Sequence, residues 1–373
     1  MKERDGKAGA PAALDLFAGA GGLGLGLEAA GFRVAAANER EEAFAASYAA
    51  NHPGTRVVAG DVLDWGTREK LLDAARGVDL VAGGPPCQGF STVGKKDEND
   101  PRNRLFRAFL EIVGELRPRA VLFENVSGFR RMYGGKAFAA LGEGLAELGY
   151  GNVHWAILNA ANYGVPQIRE RTFVAAFRGD EKFAFPAPAP AAGKWLTLED
   201  ALSDLPRVGS GESAARYAGP PANAYQRRMR EGAGEGLEEQ EGPWHGERLK
   251  KVMACVPPGG SILDVPEELR PRSCFANTYA RLRWDRPSTT VTRNFGTPSS
   301  SRCIHPQIDR GLTTREGARL QSFPDRYRFV GTRVQKNLQI GNAVPPLLAE
   351  AVGIAAMRAL GGAKAQRGAS LIH

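Results

Sequence analysis

From residue 12 onward, short apolar runs alternate with longer stretches whose hydrophobic positions recur every three to four residues. Residues 12–17, 33–38, 78–82, 120–123 and 172–177 predict buried strands, and residues 23–30, 41–51, 67–76, 105–116 and 136–148 predict amphipathic helices. Strands alternating with helices of this length imply an α/β fold, a mostly parallel sheet with helices on both faces. The alternation breaks after residue 177. FPAPAPAAG at 185–193 predicts a linker, and 209–242 is rich in Gly, Glu and Arg with weak periodicity, so a smaller, irregular domain is expected there. A Pro-led helical period returns at 345–360. The expected division is 1–185 as a first domain, 186–334 as a second with a hinge, and 335–373 as a segment returning to the first.

Composition narrows the class. The chain has 373 residues, enough for one large domain or two unequal ones, so a small disulfide scaffold is excluded. No apolar run approaches the ~18 residues of a membrane span, and the charged N-terminus lacks a signal-peptide core, so a cytoplasmic location is expected. The four cysteines, Cys87, Cys255, Cys274 and Cys303, form no CxxC pair, so no metal site is expected. The net charge of +8 is unevenly placed: residues 286–373 carry 13 Lys+Arg against 4 Asp+Glu, while the rest of the chain is near balance. A basic stretch of that kind suits either a polyanion such as nucleic acid or a solvated face.

Candidate chemistry gathers where strands end. The first predicted strand runs into Phe17-Ala18-Gly19-Ala20-Gly21-Gly22-Leu23-Gly24, a Gly-x-Gly-x-x-Gly turn opening a helix. Such a turn lets backbone approach a ligand and presents free N–H groups. Glu39, at the end of the second strand, is placed to accept hydrogen bonds from ribose hydroxyls. Asp61 either meets an adenine amino group or serves as a turn residue. The next strand ends in Gly83-Gly84-Pro85-Pro86-Cys87-Gln88-Gly89-Phe90-Ser91, a rigid turn presenting one thiol, followed by a polar stretch with Lys95, Lys96, Arg102 and Arg104. Glu124-Asn125-Val126 brings a carboxylate to the same sheet edge. In extended chain, Gln167, Arg169 and Arg171 share a face, from which guanidinium groups could stabilise a developing oxyanion.

Taken in order, these segments resemble the cytosine carbon-5 DNA methyltransferases. Phe17–Gly24, Gly83–Ser91, Glu124–Val126, Gln167–Arg171, REGARLQSFPD at 315–325 and QIGNAVPP at 339–346 look like that family's successive motifs over most of the chain. The resemblance implies a Rossmann-like S-adenosylmethionine-dependent methyltransferase sheet with an inserted target-recognition domain. It implies Cys87 as the nucleophile that adds to cytosine carbon 6, Glu124 as the group at ring nitrogen 3, and Arg171 with Arg169 at the carbonyl oxygen. Phe17, Gly19, Gly21, Gly22, Leu23, Glu39, Asp61, Pro85, Asn342 and Ala343 match cofactor-binding positions, Asn342 with a structural alternative. Base flipping follows, since the target atoms are inaccessible in a stacked duplex, with residues 91–104 as a closing loop. The implied partner is double-stranded DNA, with the basic segment from Arg286 on its phosphates; pairing with a restriction endonuclease and a monomeric state are further expectations. Gly317 stands where the family often has Ala.

Rivals explain less. A nicotinamide dehydrogenase accounts for the glycine turn and Glu39 alone. A zinc cytosine deaminase is suggested only by His245-Gly246-Glu247 and lacks the downstream cysteines. A tRNA cytosine-5 methyltransferase shares the chemistry, and a catalytically inactive DNA-binding regulator would not need Cys87, Glu124 and Arg171 together.

Overall fold

The structure is a computed structural model that describes residues 9–86, 104–189, 194–272 and 274–361. Cys87 and most of the expected closing loop, including Lys95, Lys96 and Arg102, lie outside the described residues. The chain forms two compact units, one of residues 1–158, 170–187 and 349–373, the other of 159–169 and 188–348. The passage at residues 187–188 falls in the Pro/Ala segment. Two boundaries differ from the expected ones: residues 159–169 group with the second unit, and the return to the first comes at Ala349 rather than at residue 335.

The first unit is built on strands β1 (Ala12–Leu16), β2 (Arg33–Glu39), β3 (Arg56–Ala59), β4 (Leu80–Gly83), β5 (Ala120–Val126), β6 (Asn152–Asn159) and β7 (Glu170–Phe177) in the order β3-β2-β1-β4-β5-β7-β6. The β1/β2, β1/β4, β2/β3 and β4/β5 pairs are parallel, and β5/β7 is antiparallel. Helices α1 (Gly22–Ala29), α2 (Glu42–Asn51), α3 (Trp65–Ala74), α4 (Arg104–Leu116) and α5 (Lys136–Glu147) connect the strands. Side chains alternate across a strand, so Ala12, Leu14 and Leu16 of β1 enter one core with Val81, Val121 and Phe123 and with Phe109 and Ile112 of α4. Ala13 and Asp15 turn to the opposite face. Strand β6 was not anticipated: its burial alternates as a sheet-edge strand, with Val153, Trp155 and Ile157 partly exposed. The period-two apolar residues of NVHWAILN lie on its more exposed face rather than in the core.

The second unit has little regular structure: helices α6 (Leu198–Leu202), α7 (Ala224–Arg230), α8 (Glu247–Ala254), α9 (Thr314–Leu320) and α10 (Arg333–Asn342), joined by isolated bridges such as Ser213↔Glu241 and Arg281↔Ile304. Buried polar groups hold it. Arg310 makes a two-pronged pair with Glu316, with both contacts at 2.7 Å. Arg319 reaches Asp204 at 2.9 Å and Asp325 at 2.6 Å. Arg310, Arg315 and Arg319 are fully buried, so three cations of the basic segment are structural and cannot meet phosphates, a correction to the charge reading. Gly317 has a physical reason: a Cβ there would stand 2.3 Å from the ring of buried Phe295.

The final helix, α11 (Pro346–Ala359), ends the described chain. Its part in the first unit lies against α1 so closely that a Cβ on Gly26 would fall 2.4 Å from Ala349 Cβ, and one on Gly353 2.8 Å from Ala30 Cβ. The helical stretch 333–359 is long and apolar enough to pass a membrane-span test, but it is broken at Ala343–Pro345, and most of its apolar window is buried in the fold.

Candidate active site

In an open α/β sheet, ligands bind beyond the carboxyl ends of the parallel strands. Beyond β1, the chain turns through Phe17 at φ +55°, Gly19 at +58° and Gly21 at +96°. The left-handed region favours glycine, so the two glycines fit there, while Phe17 holds a conformation uncommon for a bulky residue. Gly21 caps α1 without a side-chain hydrogen bond, so the amides of Gly22 and Leu23 are not taken by a cap, while the Gly24 N–H faces Asp15. Gly22 and Leu23 are buried in that first turn. Glu39 at the end of β2 accepts the Gly19 N–H at 2.9 Å on Oε2 and the Glu41 N–H at 2.8 Å on Oε1. Burial pushes its carboxyl above the ordinary range, against the pull of those amides. Glu39 therefore shapes the turn, and its remaining lone pairs are what a ribose could meet. Asp61 accepts the Leu63 N–H at 2.9 Å on Oδ1, the turn role foreseen as its alternative. Asn38, not singled out in the sequence, ties this edge together by donating from Nδ2 to the carbonyls of Val58 and Gly60.

At the end of β5, Glu124 meets Arg171 of β7, Oε1 to Nε, at 3.1 Å. The antiparallel register sets Glu124 opposite Phe173 and Val126 opposite Arg171, so the pair is a cross-strand diagonal. Both side chains are mostly buried while retaining a little exposure, 12% for Glu124 and 16% for Arg171. Burial lowers the Arg171 guanidinium from its ordinary value, and the Glu124 charge opposes that shift. Gly84 must be glycine, since a Cβ would lie 2.7 Å from Glu124 Oε2. Asn125 donates from Nδ2 to the Pro85 carbonyl at 3.1 Å, holding the strand end that leads into Cys87. Gly84, Pro85 and Asn125 thus fix the backbone that precedes Cys87 in the sequence.

Arg169 is corrected. It is buried in the second unit and donates from Nη1 to the Val291 carbonyl at 3.1 Å and from Nη2 to the carbonyls of Gly341 and Ala343 at 2.9 and 3.0 Å. Gln167 donates to the Leu320 carbonyl and to Gln321 Oε1, and accepts the Val291 N–H. Gln321 in turn donates to the Ile340 carbonyl. The segments around 167, 291, 321 and 341 are one polar knot within the second unit, in which the side chains of both Gln167 and Arg169 are engaged. Asn342 and Ala343 belong to this second unit, Asn342 exposed and Ala343 supplying its carbonyl to Arg169.

A family model of C-5 cytosine-specific DNA methylases matches residues 12–358. The chain belongs to that family. The Type II methyltransferase M1.HphI of Haemophilus parahaemolyticus is 35% identical over 92% of this chain and 86% of its own length, and M.AgeI of Thalassovita gelatinovora is 34% identical over 91% and 97%. A solved structure described as a DNA modification methyltransferase encoded within an Escherichia coli prophage superposes with a TM-score of 0.75 at 26% identity, covering 94% of this chain and all of that one. As a C-5 cytosine methylase, the protein is a Rossmann-like DNA (cytosine-5-)-methyltransferase that takes its methyl group from S-adenosylmethionine.

Proposed function

We propose that Cys87, Glu124 and Arg171 carry methylation of cytosine in a specific double-stranded DNA sequence, after the base has left the stack. Carbon 5 of cytosine is a poor nucleophile, so catalysis needs a thiolate added at carbon 6 to make it an enamine. Cys87, presented by the Gly84–Pro85 approach, is assigned that addition. Glu124, with its carboxyl on the β5 end, holds or protonates ring nitrogen 3 and so makes carbon 6 electrophilic. Arg171, fixed against Glu124, donates to the cytosine carbonyl oxygen as charge develops on it. Held on the turn of Phe17, Gly19, Gly21, Gly22 and Leu23, with Glu39, Asp61 and Pro85 at the same edge, S-adenosylmethionine would supply the methyl group to carbon 5; loss of the carbon-5 proton and elimination of the Cys87 thiolate from carbon 6 would then restore the ring. That turn fits an adenosine-containing cation, with left-handed glycines, uncapped amides and a carboxylate beside them. The observation that carries the reading is the Glu124–Arg171 pair at the strand end packed against Gly84.

We further infer a cytoplasmic modification enzyme working as a monomer beside a cognate restriction endonuclease, as the Type II names of its relatives suggest. Expression in cells lacking cytosine methylation, followed by bisulfite sequencing, tests the activity. Protected cytosines in one short context, absent with Cys87→Ala, are the expected result. Uniform conversion with soluble wild-type protein would overturn it and point to tRNA or to a binding role.

A further inference from the structure

Asp15 has no role in the chemistry above, yet it occupies a position where β1 calls for an aliphatic residue. It is fully buried on the sheet face opposite Leu14 and Leu16, with apolar Ala37 and Ala82 as its ladder neighbours. Its Oδ2 accepts the Tyr48 hydroxyl of α2 at 3.3 Å, the Gly24 N–H of α1 also acts on the carboxyl, and Oδ1 has no hydrogen-bond partner among the described residues. The contact is close enough that a Cβ on Gly24 would stand 2.9 Å from Oδ2 and 2.1 Å from Tyr48 Oη. The charged groups acting on it are Glu28 on α1 and Glu39 on β2, both acids; His52, just past the end of α2, stacks on Tyr48 and pairs with Glu28 at 2.8 Å. None of these supplies Asp15 with a cation. Burial pushes its carboxyl up to about 7, with Tyr48 and Gly24 pulling the other way.

A buried acid without a counter-ion is costly when ionised, and packing alone would be met by Val or Asn. What can supply the missing charge is the ligand of the turn that begins two residues later. S-adenosylmethionine carries a sulfonium; its product, S-adenosylhomocysteine, is an uncharged thioether. We propose that Asp15 is a positioning residue that senses cofactor charge: its carboxyl gives up a proton to solvent when the sulfonium cofactor binds, and takes one back when the thioether product remains. The carboxylate then grips Gly24 N–H and Tyr48 O–H and fixes the start of α1. This inference rests on the cofactor occupying the glycine turn.

The test is calorimetry of the full chain with each cofactor form, in two buffers of different ionisation enthalpy at pH 6.5. S-adenosylmethionine should release roughly half a proton or more and S-adenosylhomocysteine close to none. The preference for the sulfonium form should rise up to about tenfold per pH unit between pH 5.5 and 7. Asp15→Asn should bind both forms with a preference flat in pH. Tyr48→Phe, which removes one donor, should move the wild-type midpoint upward and gives the readout if Asp15→Asn does not fold. Equal proton release with both forms, or a pH-dependent preference surviving in Asp15→Asn, would overturn the proposal. Failure of wild-type protein to bind either form would instead strike the assignment of the turn.

Discussion

Replacing Arg169 by methionine, which keeps the bulk of the aliphatic stem and removes the guanidinium, separates a structural arginine from a catalytic one. The side chain is buried and holds three carbonyls. Ala343 keeps a second donor, Gln321 Nε2 at 3.3 Å, so the loss falls mainly on the Val291 and Gly341 carbonyls. A buried acceptor left without its donor costs about 1–3 kcal/mol, so the two together cost about 2–6 kcal/mol, a large share of the 5–15 kcal/mol that holds a typical protein folded. Urea unfolding should show the midpoint falling accordingly. Single-turnover methyl transfer, normalised to folded protein, should stay within a fewfold of wild type. Arg171→Lys should do the reverse, keeping a charge beside Glu124 while losing the planar fork, with a rate loss of about a hundredfold and little change in midpoint. An Arg169→Met protein with a wild-type midpoint and a hundredfold slower transfer would return Arg169 to the catalytic set.

Other consequences follow from the same geometry. Burial alone would raise Glu316, yet the Arg310 charge and hydrogen bonds hold it down at about 2 against an ordinary 4.5, a difference worth about 3 kcal/mol. The folded-state value is the depressed one, so this stability is present above pH 4.5 and is lost as pH falls toward 2; Glu316→Gln should flatten acid unfolding measured by circular dichroism across that window. Gly317→Ala should destabilise by about 1–3 kcal/mol through the Phe295 ring, with Phe295→Leu restoring most of the loss in thermal melts. The exposed Arg293 and Arg302 remain able to reach phosphates where buried Arg310 cannot, so alanine at either should lower the salt slope of DNA binding by about one, and both together by about two.

The centre of the sheet was legible because β1, β4, β5 and β7 are largely buried on both faces and read as apolar runs between turn residues, and the glycine turn and the Glu39 position could be placed from spacing alone. What the residues hid is instructive in each case. Strand β6 carries its large apolar residues Val153, Trp155 and Ile157 on the more exposed face of a sheet edge, so a reading that looks for buried strands passes over it. Arg169 and Arg171 sit two residues apart and look equivalent, but the boundary between units falls between them, and one is used by backbone carbonyls while the other faces a carboxylate. Net charge misled for a related reason, since composition counts Arg310, Arg315 and Arg319 as surface when each is enclosed in the second unit.

The second unit's dependence on buried ion pairs also explains why its fold could not be read from periodicity. With α-helices of five to ten residues and only isolated bridges among the described residues, apolar pattern alone does not specify it. Its specification lies in long-range polar matches: Arg319 joins Asp204, which is 115 positions away, to Asp325, and Gln167 joins Leu320, 153 positions away. His305, whose ring is pushed down to about 4 mainly by burial, is neutral at pH 7, so its 3.9 Å approach to Glu316 adds no ion pair and Arg310 alone balances that acid among the groups named here. Breaking one member leaves an unpaired charge in the interior, which costs about 3–5 kcal/mol, whereas replacing a pair together by apolar residues of similar volume is often near neutral. The motif REGARLQSFPD is therefore best understood as a set of buried partners that closes the second unit: its Arg319 is fixed by Asp204 and Asp325, its Arg315 by Asp325 and the Glu238 carbonyl, and its Glu316 by Arg310.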